Sequence, residues 1–406
     1  MSGVISTKPA PGLEGLAELA RLSLDGSSEA IERILSLARA ALDMDVALVG
    51  AFDSDYVVQA VDGESDWFGI EPGTRVQADQ TYCRRMVNGE LPHLVRDAAH
   101  DERTANLPMT REAGIGAYVG VPIRLWDGTL YGTLCCLSRA AEPSLNERDV
   151  RFLRVLAEVV ADQLDREQLE SEKRKLEWSR IRSLLDGERI DVEFQPVFDL
   201  DDCRIVSLEA LARFQADPDR PPAAWFAEAA EVGLSIELEL AAIRRALEQL
   251  DDFPPDVTIA VNVSPSTALD PRFADLVGQV AERVVIEITE HAQVDDYEAL
   301  QRALAPLRER GAQLAIDDVG AGFANLRHIL RLAPDIVKLD LSLTQEIARD
   351  PAREALASSL VGFAEGVGAA ITAEGISSNE ELQLLRALGV DYGQGFYLAR
   401  PAPLLH

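Results

Sequence analysis

"LAIDDVGAGFANL", residues 314–326, begins as a buried strand and then breaks its own pattern. Leu314, Ala315 and Ile316 run into two adjacent acids, Asp317 and Asp318, with Gly320 and Gly322 close behind. A carboxylate at the end of an apolar run is costly unless something neutralises it. Neighbours in a strand face opposite ways, but where the strand gives way to a loop both acids can turn to one side. The two glycines tolerate positive φ and allow the bend. Gly-Ala-Gly also suggests a phosphate cradle, but no P-loop lysine follows it.

Working outward, strands and helices alternate from residue 190 onward. The strand-like runs are "VEFQPVFDL", "RIVSLEALARF", "TIAVNVS", "VVIEITE", "QLAIDDV", "DIVKLDLS", "AAITAEG" and "GQGFYLARP". Helical stretches separate most of them, for example 296–310, 351–366 and 378–388. Eight strands in about 220 residues fit an α/β fold of the TIM (β/α)8 barrel kind.

The two-residue period of each strand then sorts its faces. In "IVSLEALARF", Val206, Leu208, Ala210, Ala212 and Phe214 share an apolar face suited to covering helices. Glu209, Leu211 and Arg213 share the other face and point inward. Asn262 opposes Val261 and Val263, Glu287 opposes Ile286 and Ile288, Lys338 pairs with Asp340, and Glu374 lines up with Thr372. In a barrel, such strand-end residues share one mouth. A ring of Glu209, Glu287, Asp317, Asp318 and Glu374 cannot all stay ionised beside only Lys338 and Arg213. Either several acids are protonated or cations sit between them. Carboxylates with one Asn oxygen are hard ligands, suited to Mg2+ or Mn2+. Two such ions suit in-line attack of water on a phosphodiester. Lys338 can orient that water, and the Arg213 fork can hold a phosphate oxygen.

The bulk composition agrees. The chain has 406 residues and a formal net charge of -30, which leaves no basic surface for DNA but allows a small phosphate ligand bound through cations. No apolar run is long enough for a membrane span, and the N-terminus lacks a signal-peptide layout, so a cytoplasmic location is expected. Cys83, Cys135, Cys136 and Cys203 show no metal or disulfide spacing and are expected as reduced, partly buried thiols.

The first half is organised differently. Residues 1–15 form a tail, and residues 16–165 an α+β domain with an antiparallel sheet. That domain has an amphipathic helix ending at Leu42 and hairpins over 46–63 and 116–138. A connecting helix over 146–187 follows, with Leu153, Leu156, Val160 and Leu164 as a seam. Its later part, "DREQLESEKRKLEW", is mostly charged with Leu169 and Leu176 one heptad apart, so it is either a solvated connector or a coiled-coil linker between protomers. Residues 188–406 form the barrel domain.

"FQPV", "EALARF", "VNVS", "EITE", "DDVGAG", "VKLD", "AEG" and "GQGF" occur in this order through residues 188–404. This half resembles the EAL domain, the cyclic di-GMP phosphodiesterase module named for the tripeptide seen here as Glu209-Ala210-Leu211. The resemblance implies a modified TIM barrel that hydrolyses cyclic di-GMP to linear pGpG with two Mg2+ or Mn2+ ions. It implies Glu209, Asn262, Glu287 and Asp317 as ligands of the first ion and Asp318 for the second. Lys338 would position the attacking water and Glu374 would assist. Gln195, Leu211, Arg213, Asp340 and Gln394 would contact the substrate or support the ligands. Glu290 would brace the "DDVGAG" loop near a dimer contact. The family commonly has Phe and Thr where this chain has Val319 and Ala321, and a second glutamate where it has Ser377. No diguanylate cyclase "GGDEF" sequence is present, so synthesis of the dinucleotide is not expected.

Residues 16–165 resemble a GAF domain through "TYCRRMVNGELPHLVRDA" and "AYVGVPIRLWDGTLYGTLCCLS". That resemblance implies a sensor that binds a small molecule or dimerises. Cys83 lacks the neighbours of a bilin attachment site and reads as a core thiol. The joint expectation is a sensor-regulated phosphodiesterase, with a catalytically weak cyclic di-GMP receptor as the alternative.

Overall fold

The computed structural model describes residues 29–187, 189–289, 294–320 and 326–403. The expected N-terminal tail, the start of the first helix, Glu290 and Gly322 lie outside the described residues. The chain forms two compact units, residues 1–173 and 174–406.

The first unit is built on a six-stranded antiparallel sheet. Its strands are β1 (Val46–Phe52), β2 (Tyr56–Gly63), β3 (Arg75–Val76), β4 (Leu94–Val95), β5 (Ala117–Arg124) and β6 (Leu130–Ser138), in the spatial order β3-β2-β1-β6-β5-β4. Both expected hairpins form, β1 with β2 and β5 with β6. Alternation along the strands feeds two separate cores. On one face Ala47, Val49, Val119, Val121, Leu134 and Cys136 pack with α1 (Glu29–Leu42) and with Leu153, Leu156 and Val160. On the other, Val46, Leu48, Tyr118 and Cys135 pack with α2 (Tyr82–Val87) through Tyr82, Cys83 and Met86. Adjacent Cys135 and Cys136 therefore belong to different cores.

A 40-residue helix, α3 (Glu147–Asp186), carries the chain from the first unit into the second. Val150, Leu153, Leu156 and Val160 are buried in the first unit, and Ile181 and Leu184 are buried with Trp225 in the second. Between these ends Leu169 and Leu176 are exposed.

The second unit is a closed eight-stranded barrel. Its strands are β7 (Ile190–Asp199), β8 (Ile205–Phe214), β9 (Thr258–Asn262), β10 (Val284–Thr289), β11 (Gln313–Val319), β12 (Ile336–Leu339), β13 (Ala370–Ala373) and β14 (Tyr392–Gly393). Outward residues Ile259, Val261, Ile286, Ile288, Leu314, Ile316, Val337 and Leu339 join the helices in one large core. Each such side chain contributes roughly 1.5–3 kcal/mol on burial. Inward residues are small or polar: Ala260, Val285 and Ala315 form a thin layer inside the barrel. That layer leaves room for Glu287 and Lys338 above it.

The barrel departs from the regular (β/α)8 repeat in two places. Strand β7 is antiparallel to both neighbours, β8 and β14. The short turn between Asp199 and Ile205 is the cause, since a parallel pair needs a crossover of a dozen or more residues. The expected eighth strand, "GQGFYLARP", is also mostly not a strand; the strand is Tyr392–Gly393, which overlaps it only at Gly393. Its backbone bonds go instead to the loop at Ile376, which donates to Gln394 and accepts from Tyr397.

Candidate functional site

The barrel register gathers the inward polar residues. Glu209 on β8 lies opposite Ala260 on β9, and Glu287 on β10 lies between Asn262 and Ala315. Asp317 on β11 lies opposite Thr289, and Lys338 on β12 opposite Thr372. Glu374 follows directly on β13, and its backbone N–H donates to Leu339. Ladder registry alone thus places an acid or its counter-charge on β8 and on the four consecutive strands β10 to β13, with Asn262 on β9 between them.

Lys338 is the hub. Its Nζ lies 2.8 Å from Glu374 Oε1, 2.9 Å from Glu287 Oε2, 3.1 Å from Asp317 Oδ1 and 3.8 Å from Glu209 Oε2. The side chain is only 2% exposed, so these charges meet without bulk water between them. Gln394 Nε2 donates to Glu209 Oε2 at 2.7 Å and to Glu374 Oε1 at 3.2 Å. Asn262 Nδ2 donates to Glu209 Oε1 at 3.3 Å.

Two overlapping acid groups result. Glu209, Glu287 and Asp317 bring carboxylate oxygens within 4.8 Å of one another, as do Asp317, Asp318 and Glu374. Asp317 belongs to both. The sequence reading kept Asp317 and Asp318 for different ions and did not foresee this sharing.

One lysine cannot balance these acids. Two carboxylates ~4 Å apart repel by about 4 kcal/mol at an effective dielectric of 20, enough to shift a pKa by more than two units. Burial pushes the Glu374 carboxyl up to about 8, with Lys338 opposing and Asp317 and Glu209 adding to the rise. Burial likewise raises Glu287 well above the carboxylate range, against Lys338 and with help from Glu209 and Asp317. Burial alone would lower Lys338, but Asp317, Glu209, Glu287 and Glu374 outweigh it and hold the ammonium form.

The opening stretch has a definite backbone solution. Asp318 adopts φ 60, the left-handed region that Asp enters more readily than most residues. The β11–β12 register breaks between Ile316 and Val319. Asp318 thereby turns toward the side of Asp317 within the strand. The expected glycine bend lies two residues later: Gly320 has φ 115, and a β-carbon there would overlap Leu343.

Other expected site residues bond elsewhere, although Gln195 lies directly opposite Glu209 in the β7–β8 ladder. Arg213 pairs with Glu193, Nη2 to Oε2 at 2.7 Å, beside a cleft of about 1020 Å³ also lined by Asp191, Gln215 and Arg220. None of the five clustered acids lines that cleft. Leu211 is half-buried opposite Glu193. Gln195 is buried and donates to the Ala399 carbonyl. Asp340 caps the helix Leu341–Thr344 by accepting from Ser342 N at 2.8 Å. A separate groove of about 640 Å³, lined by Glu239, Asn262, Ser264, Thr289 and Asp295, opens at Asn262. The sequence reading also missed Glu239, which accepts from Ser264 N at 2.9 Å, and Glu193; neither sits in a motif that would have flagged it.

The chemistry of the donor set fits divalent cations. All the clustered ligands are hard oxygens, and their charge exceeds what Lys338 can neutralise. In the protein alone burial raises the Glu287 and Glu374 carboxyls, and the neighbouring acids add to the rise.

Residues 178–401 match the EAL domain family, and residues 27–164 match the GAF domain family. The chain is 30% identical over 221 residues to a cyclic di-GMP phosphodiesterase of Pseudomonas aeruginosa, covering 51% of this chain and 38% of the relative. It is 27% identical over 344 residues to a signalling protein of Caulobacter vibrioides, covering 81% of this chain and 42% of the relative. Among solved structures, the PaMucR phosphodiesterase in complex with c-di-GMP superposes with a TM-score of 0.51 at 25% identity, covering 56% of this chain and 98% of that one. This chain belongs to the EAL domain family, with a GAF domain ahead of the barrel. It spans only 38% and 42% of the length of these two relatives. No described helix is long and apolar enough to cross a membrane.

Proposed function

We propose that this chain is a cyclic di-GMP phosphodiesterase that hydrolyses its substrate to linear pGpG, regulated by its GAF domain. The observation that carries this reading is the pair of acid groups sharing Asp317 around a buried Lys338. Glu209, Asn262, Glu287 and Asp317 would hold one Mg2+ or Mn2+ ion, and Asp317 and Asp318 a second, with Glu374 assisting. Bound there, such ions supply Lewis acidity and lower the pKa of water. Lys338, fixed by its carboxylates, would donate a hydrogen bond to the attacking water and hold it in line. Gln394 keeps Glu209 and Glu374 aimed at the same point. Arg213 would release Glu193 to hold a phosphate oxygen, with Gln195, Leu211 and Asp340 shaping the substrate's surroundings, and Glu290 bracing the loop after Asp318. The exposed Leu169 and Leu176 of α3 support a homodimer joined along that helix. The GAF ligand is a small molecule of unassigned chemistry, and the location is cytoplasmic.

The departures at Val319 and Ser377 favour a second reading, a receptor that binds the dinucleotide without turnover. Ser377 Oγ donates to Glu381 Oε2 at 2.9 Å, just ahead of the Ser378 cap of helix Asn379–Leu388, where the family commonly carries an acid. Incubating purified protein with cyclic di-GMP and Mn2+, beside Glu209→Ala, separates the two. Linear pGpG from the wild type alone supports the phosphodiesterase. Binding without product supports the receptor, and equal product from both proteins refutes the assigned site.

A further inference from the structure

The second core of the N-terminal unit encloses a cavity of about 90 Å³ whose walls include Tyr56, Cys83, Met109, Tyr118 and Cys135. Among the described residues, no charged side chain lines it. Two sulfurs face each other there: Cys83 Sγ on α2 lies 3.4 Å from Cys135 Sγ on β6. Both residues are buried. The contact joins residues 52 apart in the chain, across the helix–sheet interface. A disulfide needs sulfurs about 2.05 Å apart, so closure asks for a shift of roughly 1.3 Å. Helix α2 has only six residues, which makes a movement of that size local.

We propose that Cys83 and Cys135 form a thiol–disulfide couple inside this cavity, oxidised by a small hydroperoxide. The cavity exceeds the ~30 Å³ share of a water molecule several-fold, so a peroxide of that size class fits. The Cys135 thiol does most to bring Cys83 down to about 7; burial opposes it, and the hydroxyls of Thr133, Tyr56 and Tyr118 assist. Cys83 is therefore the nucleophile. Its thiolate attacks the O–O bond, taking one oxygen as sulfenic acid while the other leaves as alcohol or water with the thiol proton. The Cys135 sulfur then attacks the sulfenic sulfur; the S–S bond forms and hydroxide leaves, taking up the Cys135 proton as water. Two thiols are oxidised by two electrons and one peroxide is reduced. Cys136 cannot take part: it belongs to the opposite core, where burial pushes its thiol up to about 12.

The test treats the reduced full-length protein with a small excess of hydrogen peroxide, denatures it under acid, counts thiols and maps peptides. The expected result is a fall from four free thiols to two, with the Cys83 and Cys135 peptides joined and dithiothreitol restoring both. Cys136→Ser and Cys203→Ser should leave the joined peptide in place. Cys135→Ser should stop at a Cys83 sulfenic acid that dimedone traps. The proposal is overturned if Cys83 and Cys135 both stay free at peroxide levels that oxidise exposed Cys203, if the wild type yields only Cys203-linked chains, or if Cys83 is oxidised while Cys135 stays free. The wild-type map decides this without relying on any variant's folding.

Discussion

Beneath the barrel mouth, one lysine is held among four carboxylates. Against one face of the N-terminal sheet, a cavity is lined by tyrosines, thiols and aliphatic groups without a single charge. Both are interior spaces behind α/β walls, yet they were built under opposite constraints. The barrel accepts a large electrostatic cost, because buried like charges destabilise the fold unless ions or protons relieve them. The N-terminal cavity carries no such cost, and the Tyr56 hydroxyl in its wall is satisfied by Thr133 at 2.8 Å. Strain left unrelieved by the chain's own residues points to what must bind from outside, and only the barrel has it in charge.

The largest effect should come from the acid common to both groups. Asp317→Asn is expected to lower cyclic di-GMP turnover by about a thousandfold, roughly 4 kcal/mol of lost transition-state stabilisation. A product assay at saturating Mn2+ checks it, and a loss below tenfold would separate Asp317 from the chemistry. Next comes the hub. Lys338→Met leaves buried acids without their cation, and breaking such pairs costs about 3–5 kcal/mol. Denaturant unfolding in EDTA at pH 8 should show that loss, and added Mn2+ should recover part of it.

These two effects rest on features that were open to sequence reading. Strict alternation from Ile286 to Ile288 and from Val337 to Leu339 left Glu287 and Lys338 facing inward, so the period alone placed them. The reversal of β7 was legible only through the short link before Ile205. The left-handed turn at Asp318 was not, because nothing in the residue's identity requires φ 60 there. Arg213 shared a face with Glu209, but its pairing with Glu193 depends on which strand lies beside β8. The meeting of Cys83 with Cys135 depends on how α2 docks on the sheet, a tertiary fact with no local signal. Periodicity reports direction within an element; it does not report which element lies opposite.

A smaller effect tests the charge account through pH. The folded, metal-free protein holds Glu374 at about 8 against an ordinary value of 4.5. Folding therefore takes up a proton in this window. The stability tied to that proton is complete below about 4.5 and is lost as pH rises through about 8. In EDTA, the wild type should lose more stability between pH 6 and 8.5 than Glu374→Gln does; parallel thermal midpoints would contradict it. The smallest effect belongs to the other interior. Tyr56→Phe removes a hydrogen bond to buried Thr133 and should cost about 1–3 kcal/mol by denaturant midpoint, with turnover unchanged.

Mn2+ titration of the full-length protein by calorimetry at pH 7, in two buffers of different ionisation enthalpy, puts the most direct question to the barrel. Two ions per chain should bind, with protons released as the raised Glu374 and Glu287 carboxyls ionise, and Asp317→Asn should weaken both sites. Saturable binding absent from the wild type, or equal in the variant and without proton release, would show that these acids are gathered for some purpose other than holding divalent ions.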